Sequence, residues 1–172
     1  MGTRKSKKPY YYAVGKRVTL EPAVDLVALD DVRLVEKLPD LRASDPALRE
    51  GSPLRGGIRL VQRDDLMPDT LKRLRNAGVT QPVYRQDGAI LVALPEIRIE
   101  DDSEAKLAEV RKYVVGKVQP ITSDAEGRLS LHPLSDDGRD ALTLANELVE
   151  QYKLTSVSPR FLRVLPGPVV RT

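Results

Sequence analysis

Residues 79–102, VTQPVYRQDGAILVALPEIRIEDD, limit the fold of this chain more than any other stretch. Gln86-Asp87-Gly88 is a turn sequence, and beyond it Ile90, Val92 and Leu94 recur at every second position. Period-two alternation after an acidic-glycine turn specifies an antiparallel hairpin, because successive strand side chains point to opposite faces. The pattern then returns. QPVYRQDGAILVALP (81–95) and QPITSDAEGRLSLHP (119–133) both run through Gln-Pro, an apolar residue, an acidic-glycine turn, an alternating strand and a closing proline. In the second copy Leu129 and Leu131 face one way while Arg128, Ser130 and His132 face the other.

Each hairpin leads into a helical pattern. Ser103 offers its hydroxyl as an N-cap, and Leu107, Val110 and Val114 follow at three- and four-residue steps as far as Gly116. After the second hairpin, Ser135, Asp136 and Asp137 put negative charge at a helix start, and Ala141, Leu144, Ala145, Leu148 and Tyr152 form its buried stripe. A shorter amphipathic helix is expected in MPDTLKRLRNAG, with Pro68 near its start, Leu71 and Leu74 on one face and Gly78 as its cap. KRVTLEP and VDLVALDDVRLV read as two short strands broken by Pro22, GIRLV as another, and TSVSPRFLRVLP as a last strand interrupted or begun at Pro159. Residues 38–57 hold three prolines and three glycines and read as a long loop or partly disordered insert.

The expected fold class is therefore α+β: two small sheet-plus-helix modules with mixed or antiparallel sheets and helices on one face. The first spans 17–100, with the long loop at 38–57, and the second spans 101–165. A flexible, basic, tyrosine-rich arm (1–16) precedes them and a tail (166–172) follows. At 172 residues a core can form without covalent staples. Zero cysteines exclude disulfides, thiolate zinc sites and a cysteine nucleophile. No apolar run approaches the length needed to cross a bilayer, and none follows the basic start, so a cytoplasmic location is expected.

The formal charge of +3 hides an asymmetry. Six basic residues (Arg4, Lys5, Lys7, Lys8, Lys16, Arg17) and no acidic one occupy the first seventeen positions, which leaves 22 basic against 25 acidic in the rest. The body thus lacks the basic surface of a nucleic-acid-binding domain. The start itself allows three readings. MGTRKS fits the short N-myristoylation pattern at Gly2, backed by Lys7 and Lys8. RKSKKPYYY could contact phosphates and stack bases on Tyr10 to Tyr12. The plainest reading is a tail whose tyrosines pack on the first strand, so nucleic-acid and membrane partners are disfavoured.

Catalytic chemistry finds little support. Ser130, His132 and Asp136 crowd together, but neighbours on one strand rarely converge as nucleophile and base, and no elbow presents the serine. His132 is the only histidine, and the acid pairs Asp64-Asp65, Asp101-Asp102 and Asp136-Asp137 each precede an expected helix, where helix-start chemistry explains them. The glycines form no phosphate-cradling loop. No catalytic residue, metal or cofactor is expected, and the chain is read as a non-enzyme.

A family resemblance supplies a more specific expectation. YYYAVGKRVTLEPAVDLVALDD, TQPVYRQDGAILVALPEIRIEDDS and LANELVEQYKLTSVSPRFLRVLP resemble successive parts of the prodomains of bacterial subtilisin-like serine peptidases. The resemblance implies a ferredoxin-like α+β sandwich that docks its sheet on the peptidase and lays its C-terminal segment in the active-site groove. Carried over, Phe161, Leu162 and Val164 would help build the docking sheet. Leu165 and the tail with Val169, Val170, Arg171 and Thr172 would form the inhibitory strand, by strand addition. The peptidase's own catalytic motifs are missing from this sequence, so the implied role is that of folding assistant or inhibitor. The alternatives are an interaction or adaptor module of a larger bacterial assembly or defence system, and binding of nucleic acid or membrane through Arg4, Lys5, Lys7 and Lys8. Edge strands such as FLRVL also make self-association plausible.

Overall fold

A computed structural model of the chain describes residues 7–100 and 103–165. In chain order the elements are β1 (Tyr10–Ala13), β2 (Lys16–Thr19), β3 (Glu21–Pro22), β4 (Leu26–Asp30), α1 (Asp31–Lys37), α2 (Leu41–Ser44), β5 (Ser52–Pro53), β6 (Ile58–Gln62), α3 (Pro68–Asn76), β7 (Thr80–Gln81), β8 (Val83–Gln86), β9 (Ala89–Ile99), α4 (Glu104–Tyr113), β10 (Thr122–Ser123), β11 (Leu129–Leu131), α5 (Gly138–Tyr152) and β12 (Val157–Val164). The fold is α+β, with antiparallel pairing throughout its three sheets.

The hairpin from which the sequence argument starts is the spine of the molecule. β8 and β9 are joined by the two-residue turn Asp87-Gly88, both at positive φ, the conformation whose twist suits a hairpin. β12 lies along one side of β9 nearly from end to end. On the other side, β8 takes the first half of β9 and β11 takes the second half. The six-stranded sheet thus draws strands from both sides of residue 100. Both copies of the Gln-Pro pattern form hairpins, β8–β9 and β10–β11, and each is followed by a helix, α4 or α5.

A second sheet, in the order β5-β6-β4-β7, covers the hairpin end of the first. On one of its faces Ala28, Ile58 and Leu60 pack against Val83 and Val92, with Ile90, Leu162 and Val164 beside them. On its other face Val27, Leu29 and Val61 pack against Leu34, Leu48 and Leu74 from the helical segments. The opposite face of the six-stranded sheet carries α5. Leu91 and Ala93 meet Leu142 near the hairpin turn, and further along Ile97, Ile99, Leu129 and Leu131 meet Leu144, Ala145 and Leu148. Each enclosed leucine is worth about 2 kcal/mol of burial. α5, with Leu142, Leu144 and Leu148 buried, therefore anchors this layer, whereas α4 buries only Val110.

Three expectations are corrected. DVRLV (31–35) is not part of a strand: Asp30 ends β4, accepts a hydrogen bond from the Arg33 amide at 3.1 Å and caps α1, because a carboxylate at that position satisfies a free helix-start amide. Residues 38–57 are not a loose insert. They hold α2, a 3-10 turn over Pro46–Arg49 and β5, with Leu41, Ala47 and Leu48 buried. The organising residue is Asp45, only 2 % exposed, whose carboxylate accepts from the amides of Ala47 and Met67, both at 3.1 Å. Its two oxygens tie this turn to the start of α3. Finally, the chain is already a strand from Tyr10 onwards, where an arm running to residue 16 was expected. Asp101-Asp102 lies outside the described residues.

The layers are locked where α5 begins. Gln81, 4 % exposed, receives a hydrogen bond from the Gly138 amide at 2.8 Å and donates to the Asp136 carbonyl at 2.9 Å. That carbonyl also accepts from the Arg33 guanidinium at 3.1 Å, and the Asp136 carboxylate accepts from Gln119 at 2.7 Å. At Gly138 a Cβ would sit 2.1 Å from the Ala93 carbonyl oxygen, so the helix start rests directly on the backbone of β9.

Two outcomes follow for stability. Gly138→Ala should lower unfolding free energy by about 1–3 kcal/mol in urea titrations, since the backbone contact has no room to yield; an unchanged midpoint would contradict the close packing. Burial alone would raise the Asp45 carboxyl, but the Met67 amide, the Thr70 hydroxyl and the Ala47 amide outweigh it and hold it below its ordinary value. A depressed carboxyl contributes stability that is present above the unfolded-state value and lost as pH falls through the folded-state value. Asp45→Asn should therefore melt well below the parent at pH 7, and the gap should close on acidification.

Candidate protein-docking edge

β12 is an eight-residue strand that among the described residues pairs with β9 alone, which leaves its other edge open there. Such an edge presents unpaired amides and carbonyls that can accept a further strand. The register slips between Pro159 and Phe161, where residues 94–96 of β9 oppose Arg160 alone. This bulge falls at Pro95, which has no amide to give to the ladder.

The side chains expected to contact a partner are placed as follows. Phe161 packs edge-on against Tyr11, ring centroids 5.0 Å apart, and belongs to the cluster around Leu91 and Leu142. Leu162 and Val164 point the other way, onto the cluster of Ala28 and Leu60. All three are partly buried by the protein itself, which leaves the main chain of β12 and the 68 % exposed Leu165 as the open features. Val169, Val170, Arg171 and Thr172 lie outside the described residues. Sequence periodicity alone does not show that the face of "FLRV" is occupied, because the covering strands come from residues 26–60.

Beyond the bulge, the second half of β9 turns a polar face outward. Glu96, Arg98, Ser130, Ser158 and Arg160 meet there through cross-strand pairing. Glu96, with 15 % of its side chain exposed, bonds Arg160 at 2.8 Å and Arg98 at 3.2 Å. Burial alone would raise its carboxyl, but the two guanidiniums outweigh it and hold it below the usual range. The crowded trio of the sequence does not assemble: the Ser130 hydroxyl lies 3.5 Å from Glu96, His132 Nδ1 is 3.1 Å from the Pro95 carbonyl, and Asp136 belongs to the Gln81 lock. Among the described residues, no group of three or more His, Cys, Asp or Glu is gathered to hold a metal ion, and no helix is long and apolar enough to cross a membrane.

The basic start is folded in from Tyr10. The Tyr10 and Tyr12 hydroxyls donate to Glu150 at 2.6 and 3.1 Å, and Asn146 donates to the Tyr10 carbonyl at 2.8 Å. The Arg17 guanidinium stacks 3.7 Å above the Tyr10 ring, and Lys8 pairs with Glu21 at 2.6 Å. The three tyrosines thus fasten the β1–β2 hairpin to α5 and Phe161. Lys7 and Lys8 line a cleft beside α5, while Gly2, Arg4, Lys5 and Ser6 lie outside the described residues. Compared with protein-family models, curated proteins and solved structures, the chain matches none of them.

One ion pair gives a direct check on this surface. The bidentate Arg85 guanidinium holds the Asp25 carboxyl at about 2, below its ordinary value. Carboxyl-detected NMR titration should find that low midpoint. Arg85→Ala should return it to the ordinary aspartate range of about 3.9; no movement would contradict the pairing.

Proposed function

We propose that this chain is a non-enzymatic protein-binding module that acts by strand addition at β12, in the manner of a propeptide-like folding assistant or inhibitor of a subtilisin-like serine peptidase, with the cytoplasm as its address. The observation that carries the reading is the free edge of an eight-residue β12 whose own side chains are already packed. An edge of this kind offers main-chain hydrogen bonds as the source of affinity, while the rigid sheet behind it removes the entropic cost of ordering the receptor. Arg160 and Arg163 flank the edge and Leu165 leads away from it into the residues that the resemblance assigns to the peptidase groove. Charge on the edge also guards against uncontrolled self-pairing, a device natural sheets use.

The test is a kinetic one. Increasing amounts of the chain, added to a subtilisin-like peptidase from a bacterial source, should slow turnover saturably. Arg163→Pro, which removes an amide from the open side of β12, should weaken inhibition about ten-fold or more if the strand is the contact. Its folded state is checked by melting, and truncation after Leu165 supplies a second variant that leaves β12 intact. Neither slowed turnover nor a saturable complex with any of a panel of such peptidases would sink the proposal.

A further inference from the structure

A cleft of ≈370 Å³ opens between the two sheets on the side away from β12, walled by Pro22, Val24, Pro82 and Tyr84 and by three arginines, Arg63, Arg75 and Arg139. Among the described residues, no carboxylate is in its wall. Elsewhere Arg33, Arg59, Arg85, Arg98, Arg128 and Arg160 each face an aspartate or glutamate. Of the carboxylates near the cleft, Asp25 is engaged by Arg85 and Asp137 by the Arg139 amide at 2.8 Å. The three arginines come from separate elements. Arg63 begins the 3-10 turn after β6, Arg75 lies in the last turn of α3 and Arg139 in the first turn of α5. The fold therefore gathers three arginines that sequence distance keeps apart, none of them in an ion pair among the described residues, with Arg63 donating to the Val24 carbonyl at 3.5 Å.

A second observation points the same way. Tyr84 is 6 % exposed, yet it lines both this cleft and the adjoining one of ≈340 Å³. Its hydroxyl lies near the Arg139 guanidinium and the Asp137 carboxylate, at the wall of the cleft. A phenol at a cleft wall can donate to an anionic oxygen. Val24, a large apolar residue left 70 % exposed, stands at the cleft wall with the prolines and offers a surface for the uncharged part of a ligand. The volume is within the range of small-molecule sites.

We propose that this cleft binds a small phosphate-bearing molecule, its anionic group held by Arg63, Arg75 and Arg139 with the Tyr84 hydroxyl as a further donor, and its apolar or ring-shaped body on Val24 and the prolines. Guanidinium forks match phosphate oxygens bidentately, and several converging forks favour a group with many oxygens and more than one charge. The site is independent of the β12 edge and stands or falls separately from the reading above.

Calorimetric titration of the full chain tests it with ATP as the probe and citrate and a hexaglutamate peptide as comparisons. ATP should bind saturably, more tightly than either comparison. Arg75→Ala and Arg139→Ala should each weaken it about ten-fold, and Tyr84→Phe by about three-fold or more, while Arg111→Ala on α4 leaves it unchanged. The exposed arginine variants should keep the parent melting temperature, so lost binding in them is not lost folding. Absence of saturable ATP binding, binding untouched by both arginine variants, or citrate or hexaglutamate binding as tightly as ATP would each overturn the proposal.

Discussion

The structure depends on the buried side-chain amide of Gln81. It is a polar group in an apolar setting, and a buried amide is tolerated only when its donors and acceptors are met. Here the partners are the Gly138 amide and the Asp136 carbonyl, so one side chain from β7 joins the second sheet to the start of α5. Arg33 and Gln119 complete the arrangement from α1 and from the segment after α4. The absence of a side chain at Gly138 lets α5 touch the backbone of β9, which brings Leu142 and Leu144 to their respective clusters. Loss of the lock would separate elements that are otherwise joined by non-directional apolar contact.

Around this lock the two faces of β9 have different fates along its length. Its first half is covered on both sides, by the second sheet and by α5 with the β1–β2 hairpin. Its second half is covered only on the helix side, and the outward face becomes the polar array of Glu96, Arg98, Ser130 and Arg160. The bulge opposite Arg160 marks the change. The same arrangement leaves two features for partners: the free edge of β12 and the arginine-walled cleft on the other side of the sheet.

Much of the local structure was legible in residue order. The Asp87-Gly88 turn, the alternation through Ile90, Val92 and Leu94, the Ser103 cap of α4 and the stripe Ala141, Leu144, Ala145, Leu148 are set by interactions within a few residues, and each is found in place. Misreadings fell where a polar residue has a distant or a dual role. Asp30 and Asp31 fell inside an expected strand, but Asp30 ends β4 and caps α1, which Asp31 begins. Asp45 sat in a segment rich in proline and glycine, and its value lies in reaching Met67, more than twenty positions away. Asp136 suggested helix-start charge, whereas Asp137 is the cap and Asp136 serves the lock at positive φ.

Sequence by itself determined the class of fold, because hydrophobic period and turn chemistry are short-range properties that survive without a tertiary context. Tertiary structure alone decided which edge stays open, which faces of "FLRV" are occupied, and where arginines collect. Those outcomes depend on elements such as β4, α3 and α5 meeting across long separations in the chain, and a pairing between Gln81 and Gly138, or a shared wall for Arg63, Arg75 and Arg139, leaves no periodic trace to read.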